Sequence, residues 1–151
     1  EAAALDAAGL AWEVVPGVTS ALAGPAAVGV PVTHRGEAAS VTVVTAARRA
    51  GEPDVDWRTL GRLVAAGGTL VVLMGVRRRA AIAAALLAAG VAPDVPIVVV
   101  ERATHPGQRH VCARLDALGD VEVESPAVIV IGVVARHAVD AVRVATDAVH
   151  P

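Results

Sequence analysis

The side chains able to do chemistry in this sequence are few, and they gather where apolar runs stop. Thr19-Ser20 follow a Pro16-Gly17 turn, Met74 ends "GTLVVLM", and Arg102-Ala103-Thr104 follow "PIVVVE". Hydroxyls and unpaired N–H groups at a helix start can receive a carboxylate or another polar ligand group. Plain N-capping by Thr19-Ser20 and core filling by Met74 are the simpler accounts. Thr104 and Gln108 flank "HPG", for which a turn is sufficient. His34-Arg35, after Pro31, can hold an anionic group or simply face solvent. His105, His110 and Cys112 lie close in sequence but match no usual zinc spacing and have no fourth partner nearby, so no metal is expected. GxGxxG, the Walker loop, GxSxG and HExxH are absent, which removes support for dinucleotide, NTP, serine-hydrolase and zincin chemistry.

These residues need a scaffold, and the composition allows one. At 151 residues, 55% hydrophobic and 19% charged, the chain suits one domain with a sizeable aliphatic core. Net charge is −2, the arginines are scattered apart from Arg77-Arg78-Arg79, and the aromatics are Trp12 and Trp57. No nucleic-acid partner is expected from such a surface. Cys112 is the single cysteine, which fits a reducing compartment, and a cytoplasmic location is expected. The apolar run over 80–93 is shorter than the roughly 20 residues of a membrane span, so it is read as a buried helix and no membrane partner is expected. The opening "EAAALDAAG" is helix-forming, stops at Gly9 and has no initiator Met. It reads as the tail of a helix, residues 1–9, from a missing preceding domain.

Strand and helix signals alternate along the rest. Val14-Val15 before Pro16-Gly17 read as a strand ending in a turn. Thr19-Ser20 start a short helix over Ala21–Val28 that Pro25 kinks or splits. "ASVTVVTA" is a strand by its β-branched content, and Asp56 caps a helix over "WRTLGRLVAAG". "GTLVVLMG", "VPIVVVERAT" and "AVIVIGVV" are near-continuous apolar runs, the pattern of strands buried on both faces. "RRRAAIAAALLAAG" is helical to Gly90, and "GQRHVCARLDAL" gives a strand followed by a helical or turn segment. A helix over "ARHAVDAVRVATDAV" ends the chain, so residues 135–151 are assigned to a C-terminal helix. The alternation predicts a three-layer α/β domain over 10–134 with a mostly parallel or mixed sheet. Ligands of open α/β sheets sit outside strand carboxyl ends. Pro16–Ser20, Met74-Gly75 and Glu101–Thr104 would then edge one pocket, suited to a small polar cofactor with an apolar part.

Four segments in register carry a resemblance: "VVPGVTSALAGPAAVGVPVTHRG", "GTLVVLMGV", "VVVERATHPGQR" and "SPAVIVIGVV". From about Gly9 to Val134 the chain resembles the C-terminal half of the uroporphyrinogen-III C-methyltransferases, within the tetrapyrrole methylase family. The resemblance implies methyl transfer from S-adenosyl-L-methionine to carbons 2 and 7 of uroporphyrinogen III. The product is precorrin-2, at the branch toward cobalamin and siroheme. It also implies a two-domain fold with the cofactor between the domains, a tetrapyrrole substrate, an N-terminal methylase domain as partner and a homodimer. Carried over, Thr19 and Ser20 contact the cofactor, and Met74 stands near both cofactor and tetrapyrrole. Ala103 and Thr104 take the place of a Gly-Thr pair whose backbone approaches the cofactor. Pro126 and Ala127 line the adenine side.

The family's glycine-rich first loop and its Gly-Gly-Asp loop have no counterpart in these residues. The catalytic acid and base are therefore expected in a missing N-terminal half, and the isolated chain is expected to turn over little or not at all. Ala46-Ala47 replace a common Gly-His. Ala103 replaces a glycine, and its methyl group would crowd a close backbone contact if φ there is positive. Two other readings stay open: a non-catalytic remnant or dimerisation module of the same fold, and a sister methylase acting on a later corrin intermediate.

Overall fold

The computed structural model describes residues 1–49 and 51–139. Its centre is a five-stranded sheet in the order β1-β2-β5-β3-β4. The strands are β1 Val41–Thr45, β2 Thr69–Leu73, β3 Pro96–Glu101, β4 Arg109–Arg114 and β5 Ala127–Ile131. The helices are α1 Ala2–Ala7, α2 Ser20–Ala26, α3 Trp57–Ala65 and α4 Arg79–Ala88, with 3₁₀ turns at Val76–Arg78, Leu115–Asp120 and Val133–His137. The sheet is mixed, not mostly parallel. Only β1 and β2 run parallel, because β5 enters between β2 and β3 antiparallel to both, and β4 pairs antiparallel with β3.

The apolar runs follow from burial on both faces. Leu70, Val72, Ile97, Val99, Ile129 and Ile131 point to one side, against Trp57 and Val64 of α3, Ile82 and Leu86 of α4, and Leu115 and Leu118. Their alternates Val71, Val98, Val100, Val128 and Val130 point to the other, against Ala21, Val28, Val30, Val134 and Ala135. Each fully buried aliphatic side chain here contributes roughly 1.5–3 kcal/mol. Helices on both faces give the expected three layers.

Local signals explain most element boundaries. Asp56 caps α3, its carboxylate accepting from the Thr59 backbone N–H at 3.0 Å and from the Thr59 hydroxyl at 2.6 Å. Gly9 and Gly90, at φ +66 and +91, follow α1 and α4. Pro25 does not split α2; the helix runs on one residue and stops at Ala26, two residues short of the expected Val28. The strand expected at Val14-Val15 is absent. Residues 10–18 carry no regular structure, and Val14, Val15 and Val18 are 75–81% exposed. β-branched residues favour a strand only where another strand pairs with them, and no described strand does. The C-terminal helix expected over 135–151 falls mainly on residues 140–151, outside the described residues; before them, Val133–His137 form a 3₁₀ turn.

Candidate functional site

One end of the sheet is open. The carboxyl ends of β2 and β3 and the entry to β5 lie side by side there, and between them is a pocket of about 660 Å³. That volume is within the range of small-molecule and cofactor sites, roughly 300–1,000 Å³. Leu73, Val100 and Val128 give it an apolar floor, and Ser20, Ser125, Arg77, Arg102 and His105 bring polar groups to its sides.

α2 brings Ser20 to the pocket by lying close on β5. A Cβ on Gly24 would stand 3.2 Å from Val128 Cγ2, so a larger residue there would push the helix outward. Thr19 caps this helix, its hydroxyl accepting from the Ala21 N–H at 3.3 Å. Across the pocket, the backbone leaves the strands through left-handed conformations at residues that carry side chains. Met74, Arg102 and Thr104 have φ of +54, +49 and +67. Such conformations cost on the order of 1–3 kcal/mol each and gather at functional sites. The Ser125–Pro126 peptide beside them is cis.

Two polar assemblies hold these loops. Glu101 is 5% exposed; its carboxylate accepts from the Glu124 N–H at 2.9 Å and pairs with Arg109 at 2.8 Å. The Glu124 amide first, and Arg109 second, hold the Glu101 carboxyl below the usual range. This joins the β3 end to the segment entering β5, and the Arg102 N–H donates to the Pro126 carbonyl at 2.9 Å. Gln108 is the second clasp. Its carbonyl accepts from the Thr104 N–H at 2.6 Å and its amide donates to the Ala27 carbonyl at 3.3 Å, tying the 102–108 loop to the exit of α2. On the far wall, Arg78 donates to the Ala46 carbonyl at 3.0 Å and forks onto Asp54 at 2.6 and 2.9 Å, steadying the loop that carries Ala47. Hydrogen bonds from Arg78 and then the Val55 N–H push the Asp54 carboxyl down to about 2.

Of the seven residues singled out in the sequence, Ser20, Met74, Ala103, Pro126 and Ala127 line the pocket. Thr19 and Thr104 flank it and are not among its lining residues; the Thr19 hydroxyl and the Thr104 N–H bond within their own segments. Ala103 is not one of the positive-φ residues, so the crowding tied to that conformation does not arise; its neighbours Arg102 and Thr104 take the turn. Sequence reasoning missed Ala47, Arg77, His105 and Ser125 as lining residues. Arg77 reads as the start of a helix, and Ser125 as the opener of a strand. Among the described residues Arg77 has no hydrogen bond or ion pair, whereas Arg102 approaches Glu101 at 4.0 Å and Glu124 at 3.6 Å. The mouth of the pocket therefore carries positive charge available to an anionic group.

The family model of the Tetrapyrrole (Corrin/Porphyrin) Methylases matches residues 1–119. The chain belongs to the tetrapyrrole methylases. That match takes in Thr19, Ser20, Met74, Ala103 and Thr104, while Pro126 and Ala127 lie beyond it. The S-adenosyl-L-methionine-dependent uroporphyrinogen III methyltransferase of Methanosarcina barkeri is 41% identical over 138 residues, 87% of this chain and 53% of its own length. The uroporphyrinogen-III C-methyltransferase of Pseudomonas aeruginosa is 44% identical over 132 residues, 85% of this chain and 52% of its own. Among solved structures, the methylase described as the Thermus thermophilus uroporphyrin-III C-methyl transferase complexed with S-adenyl homocysteine superposes with a TM-score of 0.75 at 45% identity. It covers 87% of this chain and 57% of its own. The chain thus spans about half the length of these three methylases.

Proposed function

We propose that this chain forms one half of the cofactor site of an S-adenosyl-L-methionine-dependent uroporphyrinogen III C-methyltransferase. The observation that carries the proposal is the strand-end pocket, lined by five of the seven residues carried over from the family: Ser20, Met74, Ala103, Pro126 and Ala127. The pocket fits such a cofactor in kind: an apolar floor for a flat heterocycle, hydroxyls at its sides and guanidinium groups at its mouth for carboxylates. When bound, S-adenosylmethionine supplies a methyl group on a sulfonium to an electron-rich pyrrole-derived carbon.

The residues of this chain align the reactants. The turns at Met74, Arg102 and Thr104 shape the pocket wall, and Gln108 and Glu101 fix the latter two. Ser20 and Ser125 offer hydroxyls, and Arg77 and Arg102 draw carboxylate groups toward the mouth. Alignment of this kind contributes several kcal/mol to a two-substrate transfer. The groups that move protons belong to a preceding half, and the exposed apolar stretch with Leu10, Trp12, Val14, Val15 and Val18 supports a surface that packs against such a half. On this reading the product is precorrin-2 and the working assembly a homodimer.

Calorimetric titration with S-adenosylhomocysteine tests the reading, with this chain alone and with the N-terminal half of a full-length relative added. Binding only in the mixture is the expected outcome, together with little or no methylation of uroporphyrinogen III by this chain alone. Two folded halves that bind nothing, alone or together, would overturn it in favour of a non-catalytic dimerisation module.

A further inference from the structure

Away from the pocket, two segments about a hundred residues apart bring two imidazoles to one carboxylate. His34 and Glu37 share a tight turn, closed by hydrogen bonds between His34 and Ala38 at 2.9 and 3.0 Å. His137 ends the 3₁₀ turn after β5, and the Val139 N–H fixes that segment to the Val28 carbonyl at 3.0 Å. Both backbones are therefore anchored to the same face of the sheet. His137 Nε2 stands 2.8 Å from Glu37 Oε2, and His34 Nδ1 stands 3.7 Å from Glu37 Oε1. The rings of His34 and His137 are stacked, with centroids 5.0 Å apart and planes 24° from parallel.

An ordinary ion pair accounts for His137 on Glu37. His34, stacked on that ring, is aimed at the same carboxylate but too far for a hydrogen bond. A shared cation accounts for both. We propose that His34, Glu37 and His137 form a site for a divalent transition metal of the zinc class. Zinc bonds to nitrogen and oxygen of about 2.0–2.2 Å in tetrahedral geometry set ligand atoms about 3.3 Å apart. His137 Nε2 stands 2.8 Å from the Glu37 oxygen that would ligate, and one ligand atom from each of the three residues lies within 4.8 Å of the others. Two imidazoles and one carboxylate suit zinc, cobalt or nickel; calcium and magnesium require more oxygen ligands. Arg136 Nη2 donates to Glu37 Oε1 at 2.6 Å, which leaves Oε2 for the metal and orients the carboxylate from outside. The fourth position faces solvent, since His34 is 44% exposed. Bound metal would staple the turn after β5 to the turn after α2.

The test is titration of the metal-stripped full chain with zinc by calorimetry and with cobalt by absorption spectroscopy. One metal per chain is expected, with nitrogen- and oxygen-type cobalt bands and no thiolate charge transfer. His34→Ala and His137→Ala should each weaken binding at least tenfold, while Cys112→Ser and His105→Ala leave it unchanged. If His137→Ala unfolds, His34→Ala decides, because its side chain is exposed. Absence of saturable binding, or binding that survives His34→Ala, overturns the proposal.

Discussion

The two ends of the central strands are built in opposite ways. At the closed end, where β2 begins and β5 stops, Gly67 and Gly132 occupy the left-handed positions. The backbone there is stitched across, with the Thr69 N–H on the Ser40 carbonyl at 2.9 Å and the Gly132 N–H on the Pro96 carbonyl at 3.0 Å. At the open end Met74, Arg102 and Thr104 take left-handed conformations while keeping side chains, and a pocket opens beside the backbone bonds from the Ala46 N–H to the Leu73 carbonyl at 2.8 Å and from the Arg102 N–H to the Pro126 carbonyl at 2.9 Å. Positive-φ backbone thus falls on glycine where the sheet is sealed and on residues that keep their side chains beside the pocket. The contrast is what a domain shows when stability and binding are assigned to different ends.

The contrast can be broken most severely at the closed end. Gly132 has φ +138 and ψ 168, a region nearly restricted to glycine, and a Cβ there would stand 3.2 Å from the Gly68 carbonyl. Gly132→Ala should cost about 2–3 kcal/mol, read as a lower urea midpoint. At the open end, Gln108→Ala removes two hydrogen bonds and should cost about 1 kcal/mol while weakening S-adenosylhomocysteine binding in the reconstituted pair. Met74→Gly should act in the other direction on stability. It relieves the left-handed turn at a residue 63% exposed, raising stability by about 0.5–1 kcal/mol, and it weakens ligand binding. A stability gain with unchanged affinity would contradict the division between the ends.

The smallest effect belongs to Asp54. Its carboxyl lies at about 2 when folded against an ordinary 3.8, so its pairing with Arg78 stabilises above about pH 4 and is lost as pH falls toward 2. Asp54→Asn should flatten that acid limb in thermal melts and lower the melting temperature slightly at neutral pH, where the pair is intact.

Much of this scaffold is legible in the sequence because burial on both faces writes itself as unbroken apolar runs. β2, β3 and β5 announce themselves that way, and Asp56 and Gly90 announce helix ends. Val14-Val15 carry the same β-branched signature and form no strand, since a strand needs a partner that local sequence cannot specify. The pocket is legible in part for the same reason. Met74 and Ala103 follow apolar runs whose ends are visible. That Ser125 joins them depends on β5 entering between β2 and β3, a pairing over some 30–60 residues. The meeting of His34 with His137 is further still from anything spacing can show.

The insertion of β5 also makes one strand the link between two pairs. Without β5, the other four strands make two separate pairs, β1 with β2 and β3 with β4, and no ladder joins them. Both inner edges then expose unpaired backbone beside valines, the surface that invites association between chains. Residues 127–131 close both edges at once. A chain cut short before Ala127 would therefore lack the strand that joins its two pairs into one sheet.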